Sequence, residues 1–520
     1  MNKIEALKQE RDGLDVREAI GRYAETGWES IPEDDVQRLK WHGLFLRNPT
    51  PGFFMLRVRV PGGRTTSFQL RALAEMAAAY GNGLLDFTTR QQVQLRHLRI
   101  NDVPAVFARL EEVGLTSLQT GMDSVRNVMT CPAAGISPDE VVETEALVRA
   151  ITEEILNNRA YSNLPRKFNV AVTGCPHNCL HPETQDLALV PAYYDLGHDR
   201  CAGFNVLVGG KLGSGGYRIA TPLDVFVNPA DALEVCRAVM QLYRDHGPRE
   251  SRTQARLAFL IEDWGEARFR AEVEARVGKT LARAGVDARK SAEQDHLGIF
   301  RQRQRGMNYA GLKVRVGRIK AEALIKVAAM AERYGNGDLR IAAGQALVIT
   351  NVSDRKVGEL AEEPLLKEFA YNPSPLYKGL VSCVGSDYCN LAVIETKSRA
   401  VETAKALEKR LGDSLKPITM HWSGCPAGCG NHPVADIGLL GKKAKVDGKV
   451  VDAVDIYVGG RSGPDAKLAV KLMEDVPCDK LPLVLEGLVP YHAREKMHRV
   501  RGGAVKKPAA GKETAISTAA

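Results

Sequence analysis

Four cysteines in the second half of the chain have the spacing of a metal-cluster ligand set. Five residues separate Cys383 from Cys389, and after 35 further residues come Cys425 and Cys429, which three residues separate. Four thiolates from two short loops can hold an iron-sulfur cluster, and the glycines and proline around Cys425 and Cys429 let the backbone approach it closely. Structural zinc is the alternative, although its ligands are usually about two to four residues apart. The spacing favours an all-cysteine iron-sulfur cluster.

The other cysteines do not form a complete set. Cys131, Cys175 and Cys179 in the first half match three of the four, but nothing there corresponds to Cys389. We therefore expect these three to be remnants of a duplication, packed as small apolar residues. The remaining cysteines are expected to be structural: Cys201, Cys236 and Cys478. The nearby histidines are expected to be polar loop residues rather than metal ligands: His177, His181 and His432.

The segments that must position these cysteines occur twice. The Gly-Cys-Pro-x-x-Cys run at 174–179 recurs at 424–429, and Asp186 matches Asp436 at the same offset of 250 residues. Further upstream, Thr66 and Gln69 form a capping-box pattern that opens a helix, and an extended stretch over 88–98 follows. A second helix over 320–333 and an extended stretch over 341–352 repeat that order. The sequence therefore predicts gene duplication with pseudo-twofold packing.

Bulk composition is that of a large globular protein. The chain has 520 residues, 44% of them apolar, and no apolar run approaches the ~20 residues of a membrane span. Its N-terminus lacks the apolar core of a secretory signal, so we expect a cytoplasmic protein with reduced thiols. The net charge of +8 suits an acidic electron carrier but only weakly supports nucleic-acid binding.

The cysteine pattern on a twofold-repeated chain resembles the nitrite and sulfite reductase hemoprotein family over about residues 40–490. Four further motifs carry the resemblance: residues 55–63 (MLRVRVPGG), 88–91 (TTRQ), 124–128 (SVRNV) and 164–169 (LPRKFN). The resemblance implies two cofactors, a 4Fe-4S cluster and siroheme, an iron tetrapyrrole with eight carboxylates. It also implies that Cys429 is shared between cluster and heme iron.

The same resemblance assigns roles to basic residues. Arg57, Arg126 and Lys167 would bind a small oxyanion against the heme iron, and Asn169 would complete that pocket. Arg90 would pair with siroheme carboxylates, with Arg461 as a weaker candidate. Sulfite reductases of the family have a second lysine at the position of Asn169. Because a monoanion needs less positive charge than dianionic sulfite, asparagine favours nitrite over sulfite.

The resemblance implies an α+β fold in which each repeat contributes a mixed sheet flanked by helices. The expected units are an N-terminal helical extension (1–44), a ferredoxin-like half-domain (45–120) and a siroheme-binding lobe (121–300) of repeat 1, a ferredoxin-like half-domain (306–372) and an iron-sulfur and siroheme-binding lobe (373–500) of repeat 2, and a disordered tail (502–520). We take 283–304 as the join between the repeats.

The expected activity is six-electron reduction of nitrite to ammonia in nitrate assimilation. The chain lacks a dinucleotide-binding Gly-x-Gly-x-x-Gly fingerprint, so reduced ferredoxin is the expected donor, with a flavoprotein possible. We expect a monomer that binds neither membrane nor nucleic acid. The alternatives are assimilatory sulfite reduction with the same cofactors, an oxygen-using synthase of cobalamin assembly, and a non-enzymatic zinc scaffold or electron carrier.

Overall fold

A computed structural model of the chain describes residues 2–197, 199–213, 215–291 and 294–503. Within them the helices are α1 (Lys3–Glu10), α2 (Ile20–Thr26), α3 (Glu33–Arg38), α4 (Ser67–Tyr80), α5 (Val103–Glu112), α6 (Glu145–Ile155), α7 (Ala232–His246), α8 (Leu257–Val277), α9 (Ala321–Tyr334), α10 (Val357–Ala361), α11 (Pro375–Lys378), α12 (Lys397–Leu411) and α13 (Leu481–Gly503). The tail expected at 502–520 lies outside the described residues, apart from two positions that end α13.

The strands of the same residues are β1 (Leu44–Leu46), β2 (Phe53–Val58), β3 (Arg64–Thr66), β4 (Leu84–Phe87), β5 (Val93–Arg99), β6 (Val125–Met129), β7 (Phe168–Val172), β8 (Leu187–Leu196), β9 (Asp199–Val208), β10 (Thr221–Val227), β11 (Val286–Asp287), β12 (Gly298–Arg301), β13 (Met307–Lys313), β14 (Arg318–Lys320), β15 (Asp338–Ala342), β16 (Ala346–Ser353), β17 (Gly379–Ser382), β18 (Thr419–Ser423), β19 (Ile437–Val446), β20 (Lys449–Val458) and β21 (Val470–Pro477). Helices and mixed sheets together confirm the α+β class.

The first long helix begins where the capping box predicts. The backbone N–H of Gln69 donates to Thr66 Oγ1 at 3.2 Å, and Gln69 Oε1 accepts from the Thr66 N–H at 3.2 Å, which satisfies two free donors at the start of α4. The stretch after the helix is only partly extended, because a turn over residues 88–92 precedes β5. That turn carries Arg90.

Two sheets exchange a short strand between the repeats. The order β1-β2-β5-β4-β14 takes β14 from the second half, and the order β12-β13-β16-β15-β3 takes β3 from the first. Helices α4 and α9 bury apolar side chains in one core that both sheets share, including Leu73 and Leu324. The two repeats are therefore interlocked rather than merely adjacent.

Two buried glutamines link the halves in equivalent ways. Gln91 Nε2 donates to the carbonyl oxygen of Ile341 at 2.9 Å, and Gln345 Nε2 donates to that of Phe87 at 3.3 Å. Both residues have left-handed backbones, with φ of 57° and 61°. Because each glutamine satisfies polar groups of the opposite repeat inside the core, the pair fixes how the halves meet.

Each repeat also contributes a mixed lobe sheet. In the first half the order is β10-β9-β8-β7-β6, and in the second it is β17-β18-β19-β20-β21. Strands β6, β7 and β8 are parallel neighbours, as are β17, β18 and β19, whereas the remaining pairs on these two paths are antiparallel. Loops that follow parallel strands lie at one edge of a sheet, which brings distant cysteines together.

Candidate active site

The four cysteines of the second half line one cavity. Cys383 directly follows β17, and Cys425 and Cys429 lie in the loop after its parallel neighbour β18. Cys389 lies in the loop after Cys383, and all four border a cavity of about 420 Å³. The four cysteines that the spacing predicts to come together therefore line one cavity.

Backbone N–H groups approach two of these sulfur atoms. The Gly424 N–H donates to Cys383 Sγ at 3.2 Å, and the Leu391 N–H donates to Cys389 Sγ at 3.4 Å. Such hydrogen bonds stabilise negative charge on sulfur and set the potential of a bound cluster. A side chain at Gly430 would place its Cβ 1.9 Å from the carbonyl oxygen of Trp422, so the tight path of the second loop requires glycine.

The thiols suit a metal cluster on chemical grounds. Burial raises the pKa of Cys425 to about 12, and burial followed by the charge of Cys429 raises that of Cys383. Buried thiolates are costly unless a cation binds them, because a charged group loses its hydration. Two such thiols among four cysteines around one space therefore fit an iron-sulfur cluster.

Cationic side chains from separate elements line the same cavity. Arg57 on β2, Arg126 on β6, Lys167 just before β7 and Arg90 in the turn before β5 all line the cavity. Arg57 Nη1 donates to the carbonyl oxygen of Thr120 at 3.0 Å, and Arg126 Nη1 donates to the same oxygen. Both guanidinium groups are thus held in place before any ligand arrives.

These cations crowd one another. Burial, followed by the charge of Arg90, lowers the pKa of Arg57 to about 10. Burial and then the neighbouring Arg57 lower the pKa of Arg126 well below its ordinary value. The pKa of Lys167 is likewise lowered, by burial and then by Arg90. Like charges packed together favour a bound anion that offsets their repulsion.

Several polar atoms at the wall have no protein partner. Among the described residues, Arg57 Nε and Arg90 Nε are buried without a hydrogen bond. A buried donor without a partner costs about 1–3 kcal/mol, so native proteins rarely leave one. A carboxylate-rich group such as siroheme would supply acceptors here, and the residues present therefore fit it.

Two residues implied by the resemblance do not line this cavity. Arg461 lies elsewhere, where its Nε donates to the backbone oxygen of Asp465. Asn169 is buried on β7, its N–H donates to Asp186 Oδ2 at 2.8 Å, and its Oδ1 is buried with no partner in the described part of the chain. Asn169 is therefore outside the cavity lining.

Other basic residues at the wall were not anticipated. Lys40, Arg47, Arg96 and Arg166 also line the cavity. Arg47 Nε and Nη1 are buried without a partner among the described residues, so Arg47 offers donors to a ligand. Only Arg166 had a signal in the sequence, since it precedes Lys167 within a matched motif.

In the second half, the space that corresponds to the cationic cavity is nearly filled. The turn at 88–90, Thr-Thr-Arg, corresponds to 342–344, Ala-Ala-Gly, which follows the same helix in the other repeat. Residues 342–344 border a cavity of only about 70 Å³. The duplication therefore retains one large cationic cavity in the described residues, and the second copy has lost the arginine that would face an anion.

Comparisons with known proteins agree with this architecture. The model of the nitrite and sulphite reductase 4Fe-4S domain matches residues 121–281, and the nitrite/sulfite reductase ferredoxin-like half domain matches 47–113 and 300–366. The first match covers the first-half copy of the lobe, whereas the complete set of four cysteines lies in the second-half copy.

Relatives align along nearly the whole chain. The ferredoxin–nitrite reductase of Synechococcus elongatus is 44% identical over 497 residues, covering 94% of this chain and 96% of the relative. The assimilatory ferredoxin-dependent nitrite reductase of Haloferax mediterranei is 37% identical, covering 96% and 90%. The solved structure of the Mycobacterium tuberculosis NirA protein is 29% identical with a TM-score of 0.88 and covers 95% of each chain. The chain therefore belongs to the nitrite and sulphite reductase family, whose cofactors, a 4Fe-4S cluster and siroheme, suit its four thiols and its cationic cavity.

Proposed function

We propose that this chain reduces nitrite to ammonia in nitrate assimilation, with reduced ferredoxin as the electron donor. The observation that carries the proposal is the cavity that four cysteines line together with Arg57, Arg126 and Lys167. Relatives named ferredoxin–nitrite reductase, at 43–44% identity over most of the chain, support this choice of substrate and donor.

The cofactors and the protein divide the chemistry. When bound, siroheme supplies the iron at which a small anion is reduced, and the cluster supplies electrons singly. We assign anion binding to Arg57 and Arg126, because a shared acceptor at the carbonyl oxygen of Thr120 orients both guanidinium groups. Fixed cations in a buried site stabilise developing negative charge without having to reorganise.

Lys167 is the proposed proton donor. Reduction of nitrite consumes protons at every bond cleavage, so the site needs a group that releases one near neutral pH. Burial and the charge of Arg90 lower the pKa of Lys167, which makes its ammonium group a better acid than an exposed lysine. Asn169 is assigned a supporting role, with its unpaired Oδ1 available to a water molecule or to the lysine.

Electron entry is proposed at the Cys389 loop. Leu391, two residues after this cysteine, exposes 69% of its surface, so the loop is open to an external protein. The net positive charge of the chain favours an acidic carrier such as ferredoxin.

Among the described residues no helix is both long and apolar enough to cross a membrane. We further propose a cytoplasmic monomer.

Product analysis tests the proposed function. The siroheme-loaded holoenzyme is mixed anaerobically with photoreduced ferredoxin and nitrite, and both oxidised ferredoxin and ammonium are measured. We expect six ferredoxins oxidised per ammonium formed, because nitrogen gains six electrons. Release of nitric oxide or hydroxylamine as the main product, or failure of ferredoxin to support turnover that a dye supports, would contradict the proposal.

A further inference from the structure

The three cysteines of the first half converge at one buried point. Cys131 lies after β6, and Cys175 and Cys179 lie after its parallel neighbour β7, as in the second-half copy. The three sulfur atoms all lie within 4.8 Å of one another. Cys131 and Cys175 are each only 1% exposed. The duplicated loops therefore bring three thiols together in the first half as well.

A histidine from the join between the repeats lies beside the first of these cysteines. His296 Nε2 lies 3.3 Å from Cys131 Sγ, and His296 is 1% exposed. The sequence offered no fourth ligand because a counterpart of Cys389 was expected within the same loop. The structure instead brings in His296 from far along the chain.

The join is fastened to both cysteine loops. The Lys290 N–H donates to the carbonyl oxygen of Pro176 at 2.8 Å, and the Arg303 N–H donates to that of Ile136 at 2.8 Å. Pro176 is adjacent to Cys175, and Ile136 follows the Cys131 loop. The position of His296 is thus set from both sides.

The backbone at His296 is held in a strained conformation. Its φ is 58°, in the left-handed region that a histidine seldom adopts. A Cβ at Gly311 would lie 1.7 Å from the carbonyl oxygen of His296, so the glycine permits this close approach. Strained residues persist where the surrounding structure requires them and are concentrated at functional sites.

The other ring nitrogen of His296 is also fixed. Nδ1 lies 3.2 Å from Tyr309 Oη. A histidine that binds a metal through one nitrogen usually has a hydrogen bond at the other, which fixes the orientation of the ring. Ala133, Ile136 and Val348 surround the group with apolar side chains and limit access of water.

We propose that Cys131, Cys175, Cys179 and His296 bind one zinc ion. With Zn–S of about 2.3 Å and Zn–N of about 2.0–2.1 Å, tetrahedral coordination places sulfurs about 3.8 Å apart and sulfur and nitrogen about 3.6 Å apart. The three sulfurs, all within 4.8 Å of one another, match that size, as does the 3.3 Å from Cys131 Sγ to His296 Nε2. The imidazole does not lie within 4.8 Å of all three sulfurs, so its ring has to move toward the other cysteines when the ion binds. A 4Fe-4S cluster would hold its ligands farther apart, around a cube of iron and sulfide.

Three thiolates and one imidazole with no open position make a structural site rather than a catalytic one. The ion would tie the join at His296 to the first-half lobe, and so stabilise the packing between the repeats. Cys179 and His296 also line the cavity of about 70 Å³, which gives an ion a route to the site. This inference does not depend on the proposed function, since the site lies outside the large cationic cavity.

Metal analysis of the full-length holoenzyme tests the proposal. The protein is purified without a metal-chelate resin, and zinc and iron are measured by mass spectrometry. We expect one zinc per chain in addition to the iron of cluster and siroheme. Zinc-edge X-ray absorption on the same sample should give three sulfur ligands and one nitrogen. This measurement needs no variant, so a variant that fails to fold does not obscure it.

Variants then identify the ligands. Cys131→Ser and His296→Ala should lose the zinc while retaining the visible spectrum of the heme and cluster. Tyr309→Phe should keep the ion but weaken its affinity by about 10- to 100-fold in a chelator competition. Cys201→Ser is the matched control, because Cys201 is half-buried with its Sγ 3.6 Å from the carbonyl oxygen of Tyr194, and it should keep the zinc.

Three results would overturn the proposal. The first is a holoenzyme without zinc that also takes up none from a buffered zinc solution. The second is zinc that Cys131→Ser and His296→Ala both retain. The third is an extra iron or a disulfide at these cysteines in place of zinc.

Discussion

Thr89 donates a hydrogen bond from Oγ1 to the carbonyl oxygen of Cys429 at 3.0 Å. Thr89 belongs to the turn of the first repeat that carries Arg90, and Cys429 belongs to the cysteine loop of the second. This contact between the repeats therefore ties the turn that carries Arg90 to the loop of the cysteine proposed to serve both cofactors.

Replacing this hydroxyl should loosen the cluster. Thr89→Val removes a hydrogen bond worth about 1 kcal/mol, or about a fivefold change in an equilibrium. We expect the cluster absorbance to bleach several-fold faster in the presence of an iron chelator. Thr89→Ser keeps the hydroxyl and should bleach at the wild-type rate. Equal rates for valine and wild type would show that the contact does not support the cluster.

Cys429→Ser should remove cluster and heme coupling together, because we propose that one sulfur serves both. Electron paramagnetic resonance and visible spectra should show loss of both signals, and nitrite reduction should fall to background. Cys201→Ser, which lies outside the cavity lining, should keep both. Full activity in Cys429→Ser would show that the bridging assignment is wrong.

The two arginines that share the Thr120 carbonyl should matter to the substrate step. Arg57→Gln or Arg126→Gln removes one fixed cation from the anion site, and we expect kcat/KM for nitrite to fall about 100-fold. The matched control is Arg461→Gln, since Arg461 does not line the cavity and should change the rate little. If Arg461→Gln instead lowers kcat/KM for nitrite as much as Arg126→Gln does, Arg461 acts on the cofactor despite its position.

The basic limb of the pH-rate profile should report Lys167. Because burial and Arg90 lower the pKa of Lys167, its proton is lost at a lower pH than that of an exposed lysine. Activity should fall as pH rises through this pKa, since cation and proton donor disappear together. Lys167→Arg remains charged and should move the limb upward, with a smaller rate. Lys40 lines the same cavity, so Lys40→Arg is the control. A basic limb that moved only in this variant would assign the titration to Lys40.

Asn169 tests the choice between substrates. A lysine at this position would add a cation near Lys167, which should favour a dianion over a monoanion. We expect Asn169→Lys to raise the ratio of kcat/KM for sulfite to that for nitrite. Asn169→Gln keeps the amide and serves as the control. An unchanged ratio would mean that charge at this position does not decide between sulfite and nitrite.

Local spacing was sufficient to predict that four cysteines of the second half meet at one cavity, but not to predict every cavity residue. Cys383, Cys389, Cys425 and Cys429 could be predicted because a loop brings near neighbours together and the repeat supplies a second copy for comparison. Arg57 and Arg126 were expected only from the resemblance. Arg47 had no pattern at all, because its part in the wall depends on how distant segments fold around the cavity.

Two positions show why pattern reasoning reached its limit. A spacing of two would place Lys167 and Asn169 on one face of a continuous strand, but β7 begins at Phe168, so Lys167 precedes the strand and strand alternation does not relate the two. His296 was not considered because its partners lie in another loop system. The duplicated fold was easier to predict, because a helix, a Tyr-Gly-Asn-Gly turn and an extended stretch recur in the same order in both halves.

The central claim is best tested by anaerobic oxidation of a reduced viologen dye by the siroheme-loaded protein, with nitrite and sulfite compared over a concentration series. The dye removes any dependence on the natural electron donor. The account predicts a much larger kcat/KM for nitrite than for sulfite. A preference for sulfite would contradict it and make this chain a sulfite reductase built on the same site.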